Sequence, residues 1–236
     1  PSLALGAFEA TLMEMTTAYS VYPNQGTLRK PYFVRRVDDR EGNTLWSTTP
    51  VSKQVLREDV AYVALSVLEG VIERGTARKA RELGRRLGGK TGTTDDFSDA
   101  WFIGFSPAMT AGVWIGYDVK RSLGKGEVGA VAALPVWMDF MAVALEKESV
   151  RDFVPPPSVE FVRIDRQSGL LAAAFCADTL QEAFLRGTAP ITICSQADHE
   201  MLALPYFLQT EALARAGRMA PPDTDVGTTT SSLPPL

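Results

Sequence analysis

Histidine and cysteine are scarce in this sequence, which contains one histidine and two cysteines among 236 residues. A Ser-His-Asp hydrolase would have to use His199, which lies in an irregular C-terminal region, and this argues against that class of enzyme. Cys176 and Cys194 are too few for a disulfide scaffold. They could form one bridge in an oxidising compartment, and the sequence leaves both states open. Together with His199 they match no common zinc-ligand spacing, so we expect no metal and no cofactor.

The sequence also lacks a long hydrophobic run and an excess of basic charge. The nearest candidate for a membrane span, residues 128–145, contains Pro135 and Asp139. No uninterrupted apolar run reaches the roughly 18–20 residues that a bilayer requires. The net charge of −4 argues against nucleic acid as a partner. A hydrophobic content of 45% and a charged content of 22% are typical of a globular protein.

Hydrophobic periodicity predicts mixed α and β structure. Apolar residues recur at helical spacing in several segments, and the runs between them are typical of strands. Three consecutive strands are joined by short loops, so we expect antiparallel hairpins there. The predicted elements are helices at 8–22, 57–72 and 135–147, a strand pair at 31–37 and 44–46, and strands at 87–93, 100–105 and 110–117.

A proline triplet at 155–157 indicates a stiff linker, after which the pattern is less regular. We expect strands at 158–165 and 170–174, and short helices at 179–186 and 206–216. The tail from Arg218 has no apolar pattern, and we expect it to be disordered. The predicted division is therefore a first domain at residues 1–150, a C-terminal extension with short strands and helices at 151–217, and a tail at 218–236.

The most informative motif is Lys90-Thr91-Gly92-Thr93-Thr94, which lies on a predicted strand. Alternation puts Lys90 and Gly92 on one face and Thr91 and Thr93 on the other. A glycine between two threonines lets a ligand or another backbone approach closely. An ammonium, hydroxyls and strand amides together form a site for a carboxylate and for a developing oxyanion. The alternative is an ordinary surface strand in which the threonines reflect strand propensity.

Further motifs surround this one in an order that is typical of one protein family. Over roughly residues 1–170 the sequence resembles the transpeptidase domain of class A (bifunctional) penicillin-binding proteins, in which Lys-Thr-Gly is one of three signatures. The resemblance implies an α+β penicillin-binding/serine β-lactamase-like transpeptidase fold, with an antiparallel sheet flanked by helices. That fold would be incomplete in this chain, and residues 1–150 would be its C-terminal portion. The supporting motifs are Pro1-Ser2-Leu3-Ala4-Leu5-Gly6, Trp101-Phe102-Ile103-Gly104-Phe105, Gly112-Val113-Trp114-Ile115-Gly116 and Pro135-Val136-Trp137.

The resemblance also implies a function and a role for each residue of the motif. The family's D,D-transpeptidases cross-link peptidoglycan stem peptides through a serine acyl-enzyme, and β-lactam antibiotics acylate them. Lys90 and Thr93 would be the catalytic residues, with Lys90 supplying a cation and Thr93 a backbone N–H for the oxyanion. The hydroxyls of Thr91 and Thr93 would bind the substrate carboxylate. Gly92 and Thr94 would complete the substrate-binding segment. Such an enzyme acts on the periplasmic side of the cell inner membrane, with an anchor that is not in this chain.

The family's other two signatures are missing or misplaced. No Ser-x-Asn occurs, and the only Ser-x-x-Lys, Ser122 to Lys125, follows the Lys-Thr-Gly strand in a glycine-rich loop. Glycines disfavour the helix that this signature needs, so we interpret Ser122 as a chance match. We expect the nucleophile, the general base and a glycosyltransferase domain on an upstream segment. On this interpretation the chain is not active alone.

Two alternatives stay open. A degenerate, catalytically inactive module could serve in cell-wall binding or scaffolding, and replacement of the upstream motifs would favour it. A serine β-lactamase shares the fold and the motif, and rapid deacylation would distinguish it. The strand sequences around Trp101 and Trp114 and the long tail fit the penicillin-binding group better.

Overall fold

A computed structural model describes residues 9–203 and Gln209 of this chain. The chain divides into two compact units, the first made of Pro1–Glu160 and Ala183–Thr188, the second of Phe161–Glu182 and Ala189–Leu236. The motif at residues 1–6, the predicted helix at 206–216 and the predicted tail at 218–236 lie outside the described residues, apart from Gln209. The domain boundaries predicted from the sequence stay predictions.

The elements follow the predicted mixture of helices and antiparallel strands. The helices are α1 (Leu12–Tyr19), α2 (Glu58–Glu73), α3 (Ala133–Ala144) and α4 (Gln196–Leu202), with a 3₁₀ helix at Arg78–Leu83. The strands are β1 (Thr27–Arg29), β2 (Arg36–Asp38), β3 (Thr44–Ser47), β4 (Ser52–Gln54), β5 (Gly88–Thr93), β6 (Ala100–Phe105), β7 (Thr110–Ile115), β8 (Val159–Asp165) and β9 (Thr179–Leu185). Within the described ranges, none of the helices has the length and apolar character that a membrane span requires.

A three-stranded antiparallel sheet in the order β5-β6-β7 forms the centre of the first unit. Helix α3 packs on one face of this sheet, where the Trp137 ring meets Phe102 edge-on with the ring centroids 4.9 Å apart. The Trp137 indole N–H donates to the carbonyl of Ala111 on β7 at 3.0 Å. Both aromatic side chains are fully buried, so they fix α3 against β6 and β7 by burial and by one oriented hydrogen bond.

Helix α2 packs against the start of β5 through a second apolar cluster. Tyr62 and Leu65 of α2 are buried there with Phe105 of β6 and with Phe153, whose ring lies 5.8 Å from that of Phe105. The apolar residues of α2 recur at helical spacing, which is why the sequence predicts this helix within a residue or two of its observed bounds. Strand β5 is therefore held both by β6 and by a buried helix face.

Helix α1 begins with a capping box. The Thr11 hydroxyl accepts the N–H of Glu14, and the Glu14 carboxylate accepts the N–H of Thr11 at 2.8 Å, which satisfies two amides that a helix start leaves without partners. None of the residues of α1 is fully buried. The predicted helix at 8–22 is confirmed in its central part.

Three sequence predictions about secondary structure are wrong in whole or in part. The predicted strand at 31–37 is confirmed only at its end, where β2 covers Arg36–Asp38. The residues predicted as a helix at 179–186 form strand β9, because hydrogen bonding to β8 outweighs their weak helical tendency. The predicted strand at 170–174 is reduced to Leu171, which forms isolated bridges with Ile164 and Ile193. The sequence also gives no sign of the short pair β1–β4, in which residues 27–29 meet 52–54.

Candidate functional site

The Lys90–Thr93 motif lies on β5, which has a neighbouring strand on only one side among the described residues. The register pairs Lys90 with Ile103 and Thr91 with Phe102. Paired residues of an antiparallel sheet share a face, so Thr91 lies on the α3 face with Phe102 and Lys90 lies on the opposite face. The alternation predicted for the motif is confirmed.

The Lys90 side chain is exposed. Its ammonium donates to the carbonyl of Thr91 at 2.7 Å, and in the described part of the chain no carboxylate forms an ion pair with it. A carbonyl leaves the positive charge uncompensated. Lys90 is therefore a free cation beside an open strand edge, as a carboxylate-binding role requires.

Thr91 contacts a residue that the sequence does not single out. Its hydroxyl lies 3.0 Å from the hydroxyl of Thr76, which is in the segment after α2. Either oxygen can donate, and the bond fixes the Thr91 rotamer while leaving further hydrogen-bonding capacity on both groups. The structure thus couples the motif to the C-terminal end of α2.

The Thr93 hydroxyl accepts the backbone N–H of Gly129 at 3.0 Å. Gly129 belongs to the loop before α3, and an added Cβ there would clash with the carbonyl oxygen of Trp101 and lie 2.7 Å from that of Gly92. Only glycine lets the loop approach this closely. The hydroxyl accepts from Gly129 and keeps its own proton available to donate to a ligand.

The Thr94 hydroxyl stabilises the turn that follows β5. It accepts the N–H groups of Ser98 and Asp99, both at 3.0 Å, and Asp99 in turn accepts the indole N–H of Trp114 at 2.8 Å. The structure therefore places Thr94 beside the motif, with its hydroxyl engaged in the turn. Its assignment to substrate binding stays a prediction.

The glycine-rich loop at 118–132 is tied to the same turn. Lys120 forms an ion pair with Asp96 at 3.1 Å, and the N–H of Leu123 donates to the carbonyl of Phe97 at 2.8 Å. The Lys120 ammonium, aided by Ser98 and Thr94, holds the pKa of Asp96 below its usual value. These contacts hold the loop against the end of β5, where Gly129 reaches Thr93.

Ser122 lies in this loop and outside any helix. Its hydroxyl is exposed and accepts the N–H of Gly124 at 3.2 Å, a local turn contact. A Ser-x-x-Lys nucleophile needs its lysine one helical turn away, facing the serine. The structure gives Ser122 and Lys125 no such arrangement.

A buried ion pair lies behind the start of β5. Glu69 of α2 has a side chain only 7% exposed and bonds Arg86 at 2.6 Å. Burial raises the pKa of Glu69 to about 7, against the opposing effect of the Arg86 charge. Sequence periodicity does not reveal this pair, because the spacing of the valines in α2 indicates a different buried face from the one on which Glu69 lies with Tyr62 and Leu65.

The second unit brings four potential metal ligands together in what we call the Cys–His cluster, in which every ligand atom lies within 4.8 Å of the others. The sequence points to three of these residues, at a spacing that matches no common zinc site, and it gives no signal for the carboxylate. Both cysteines are buried and are free thiols. The cluster consists of Asp165, Cys176, Cys194 and His199.

Comparisons with known families divide the chain into two matched parts. Residues 2–133 match the family described as penicillin binding protein transpeptidase domain. Residues 155–199 match the family described as penicillin-binding protein 1A, C-terminal domain. The first match contains β5 and the whole Lys90–Thr94 motif. The second contains the Cys–His cluster.

Comparisons with individual proteins also match this chain to penicillin-binding proteins. Penicillin-binding protein 1A of Aquifex aeolicus is 44% identical over 194 residues, which cover 82% of this chain and 27% of that protein. Penicillin-binding protein 2D of Bacillus subtilis is 37% identical over 206 residues, covering 84% and 29%. The crystal structure of penicillin-binding protein 1A from Haemophilus influenzae aligns with a TM-score of 0.76 at 29% identity, covering 82% of this chain and 34% of that one. The chain thus spans about a quarter of the length of the curated relatives that it matches.

Proposed function

Because the chain belongs to the penicillin-binding protein transpeptidase family, we propose that it forms the Lys-Thr-Gly side of a D,D-transpeptidase site. The enzyme would cross-link peptidoglycan stem peptides through a serine acyl-enzyme, on the periplasmic side of the cell inner membrane. The serine and its general base would come from a part of the protein outside this chain, which would also carry the glycosyltransferase domain. The observation that carries the proposal is the exposed motif on the open edge of β5.

The geometry of β5 supports substrate binding along this edge. An extended peptide can add to an exposed strand edge through main-chain hydrogen bonds. The N–H of Thr94 donates to the carbonyl of Asp99 on the β6 side at 3.3 Å. Alternate residues of an antiparallel strand direct their N–H groups to opposite edges, so the N–H of Thr93 faces the open edge. That is the direction an oxyanion donor needs.

Side chains would then select the substrate. The Lys90 side chain leaves β5 on the face opposite the threonine hydroxyls, but its flexible stem lets the ammonium reach the Thr91 carbonyl. From there it would attract the C-terminal carboxylate of a stem peptide, or the carboxylate of a β-lactam. The Thr93 hydroxyl, which already accepts from Gly129, would donate its proton to that carboxylate. Thr91, linked to Thr76, would provide a second hydroxyl, and Thr94 would keep the turn in place. Charge-assisted hydrogen bonds of this kind are the stronger ones in proteins.

Acylation by a penicillin tests the proposal. The protein that contains this chain would be incubated with a fluorescent penicillin, digested and mapped by mass spectrometry. We expect one adduct, on a serine outside these 236 residues, and the same adduct in Ser122→Ala. An adduct on Ser122 would overturn the assignment of the nucleophile. No adduct at all would overturn the catalytic proposal and favour an inactive module for cell-wall binding or scaffolding.

A further inference from the structure

The second unit has very little apolar core. Among its described residues, the buried hydrophobic side chains are Ile164, Cys176 and Cys194. The two hydrophobic clusters found in the described part of the chain are built from residues of the first unit. The described part of the unit would gain cohesion from a disulfide or a metal ion, which are the usual additions where few apolar groups are buried.

The Cys–His cluster has dimensions close to those of a tetrahedral metal site. His199 Nε2 lies 3.6 Å from Asp165 Oδ1 and 3.9 Å from Cys176 Sγ. With metal–ligand bonds of about 2.0–2.3 Å, neighbouring ligand atoms in a tetrahedron are about 3.3–3.8 Å apart. The widest separation in the cluster is within 4.8 Å, so small side-chain shifts would complete the geometry.

The Asp165 carboxylate provides an independent indication of a cation. Asp165 is completely buried, and its Oδ2 accepts the N–H of Ser168 at 2.8 Å and the Ser168 hydroxyl at 2.7 Å. Its Oδ1, which faces His199, accepts no hydrogen bond in the described part of the chain. A buried carboxylate oxygen without a hydrogen bond is costly, and His199 lies too far from Oδ1, at 3.6 Å, to donate one. A metal ion at the centre of the cluster would satisfy it.

Local structure positions the ligands in advance. A turn with Gly169 at φ +70° follows Asp165, and the N–H of Ala173 donates to Cys176 Sγ at 3.3 Å. A capping box of Ser195 and Asp198 starts α4 directly after Cys194 and orients the turn that carries His199. Such outer contacts hold metal ligands in place in known sites.

We propose that the Cys–His cluster binds one Zn²⁺ ion. Two sulfur ligands and an imidazole select zinc over magnesium or calcium, which prefer oxygen. Both thiols would release their protons to solvent on binding, and Asp165 would bind through Oδ1. Four protein ligands leave no open coordination position, so the ion is structural. An open cavity of about 370 Å³, lined in part by Asp165 and His199, gives the ion a path. The proposal does not depend on the transpeptidase function.

Metal content and cobalt spectroscopy test the site. The intact protein, without a histidine tag, would be purified in a reductant with added zinc and dialysed. We expect one zinc per chain by elemental analysis, and both thiols shielded from alkylation until a chelator is added. Replacement by Co²⁺ should produce thiolate-to-cobalt charge-transfer absorption. Zinc at background level with both thiols reduced and reactive would overturn the proposal. So would a mass lower by two hydrogens despite the reductant, which would indicate a Cys176–Cys194 disulfide.

Variants separate ligation from folding. Cys194→Ser should remove the part of the thiolate-to-cobalt absorption that the Cys194 sulfur contributes. His199→Asn, at a half-buried position, should weaken cobalt binding. Ser168→Ala removes the hydroxyl that donates to Asp165 Oδ2 and accepts the N–H of Leu170, and it leaves the backbone N–H bond to Oδ2 in place. We expect about 10- to 100-fold weaker binding. Asp178→Asn is the matched control, because Asp178 lines the same cavity and pairs with Arg166. Equal cobalt affinity in His199→Asn, Ser168→Ala and the control would contradict the site.

Discussion

Thr93→Val separates the two roles that the structure gives to the Thr93 hydroxyl. Valine keeps the shape of threonine but removes both the acceptor for the Gly129 N–H and the donor proposed for the substrate carboxylate. Gly129 is buried, so its N–H would be left without a partner. Thr93→Ser keeps the hydroxyl and is the matched control.

The expected magnitudes follow from these two losses. An unsatisfied buried N–H costs about 1–3 kcal/mol, so the free energy of unfolding should fall by about that amount in Thr93→Val. A hydrogen bond to a charged group contributes about 1.5–3 kcal/mol, so loss of the donor should slow penicillin acylation about 10- to 100-fold. Thr93→Ser should stay close to the wild type in both measurements.

The assay is a pair of measurements on the intact protein. Urea denaturation gives the free energy of unfolding, and stopped-time labelling with a fluorescent penicillin gives the second-order acylation rate. If Thr93→Val acylates as fast as Thr93→Ser, the hydroxyl does not bind the carboxylate. If the two are also equally stable, the contact between Thr93 and Gly129 does not stabilise the loop, and the reasoning from the structure fails at both points.

Two further predictions concern the support of β5. Gly129→Ala should lower the free energy of unfolding, measured by urea denaturation, by about 1–3 kcal/mol and should slow acylation. The reason is that the Cβ of the alanine would press on the carbonyls of Trp101 and Gly92. Unchanged stability would contradict the close approach of the loop to the sheet. Glu69, with its pKa raised to about 7 from 4.5, binds more protons in the folded state than in the unfolded state between these values. Its stabilising contribution is therefore present below about pH 4.5 and is lost as the pH rises through about 7, by on the order of 2–3 kcal/mol. Urea denaturation at pH 5 and pH 8 should show this loss of unfolding free energy in the wild type and not in Glu69→Gln. If the wild type instead gains stability relative to Glu69→Gln between pH 5 and pH 8, the ion pair with Arg86 dominates.

Local patterns in the sequence predicted the parts of the fold that depend on neighbouring residues. The three strands β5, β6 and β7 and the extent of α2 follow from period-2 and helical spacing, and the short loops between the strands predicted their antiparallel order. The helical spacing did not predict which face of α2 is buried, because Tyr62, Leu65 and Ile72 lie there and Val60 and Val67 are exposed. Strand β9 was missed because its conformation depends on pairing with β8, which outweighs local propensity.

The candidate site likewise combines features that local sequence pattern predicts with contacts that depend on long-range packing. The Lys90–Thr93 motif and its alternation could be identified from the sequence alone. The contact from Gly129 to Thr93 joins residues 36 positions apart, and no periodicity predicts it. Leu171 bridges both Ile164 and Ile193, which brings the end of β8, where Asp165 lies, beside the segment before α4. Long-range contacts of this kind are decided by packing rather than by local pattern.

The central claim is that Lys90 supplies the cation of a transpeptidase site, and the acylation rate of Lys90→Ala tests it most directly. Lys125→Ala is the matched control, because Lys125 is another exposed lysine, in the loop beside β5. The account predicts about 10- to 100-fold slower penicillin acylation of the intact protein in Lys90→Ala, from loss of a charge-assisted bond, with unchanged stability and a wild-type rate in Lys125→Ala. Equal rates in the two variants would contradict it.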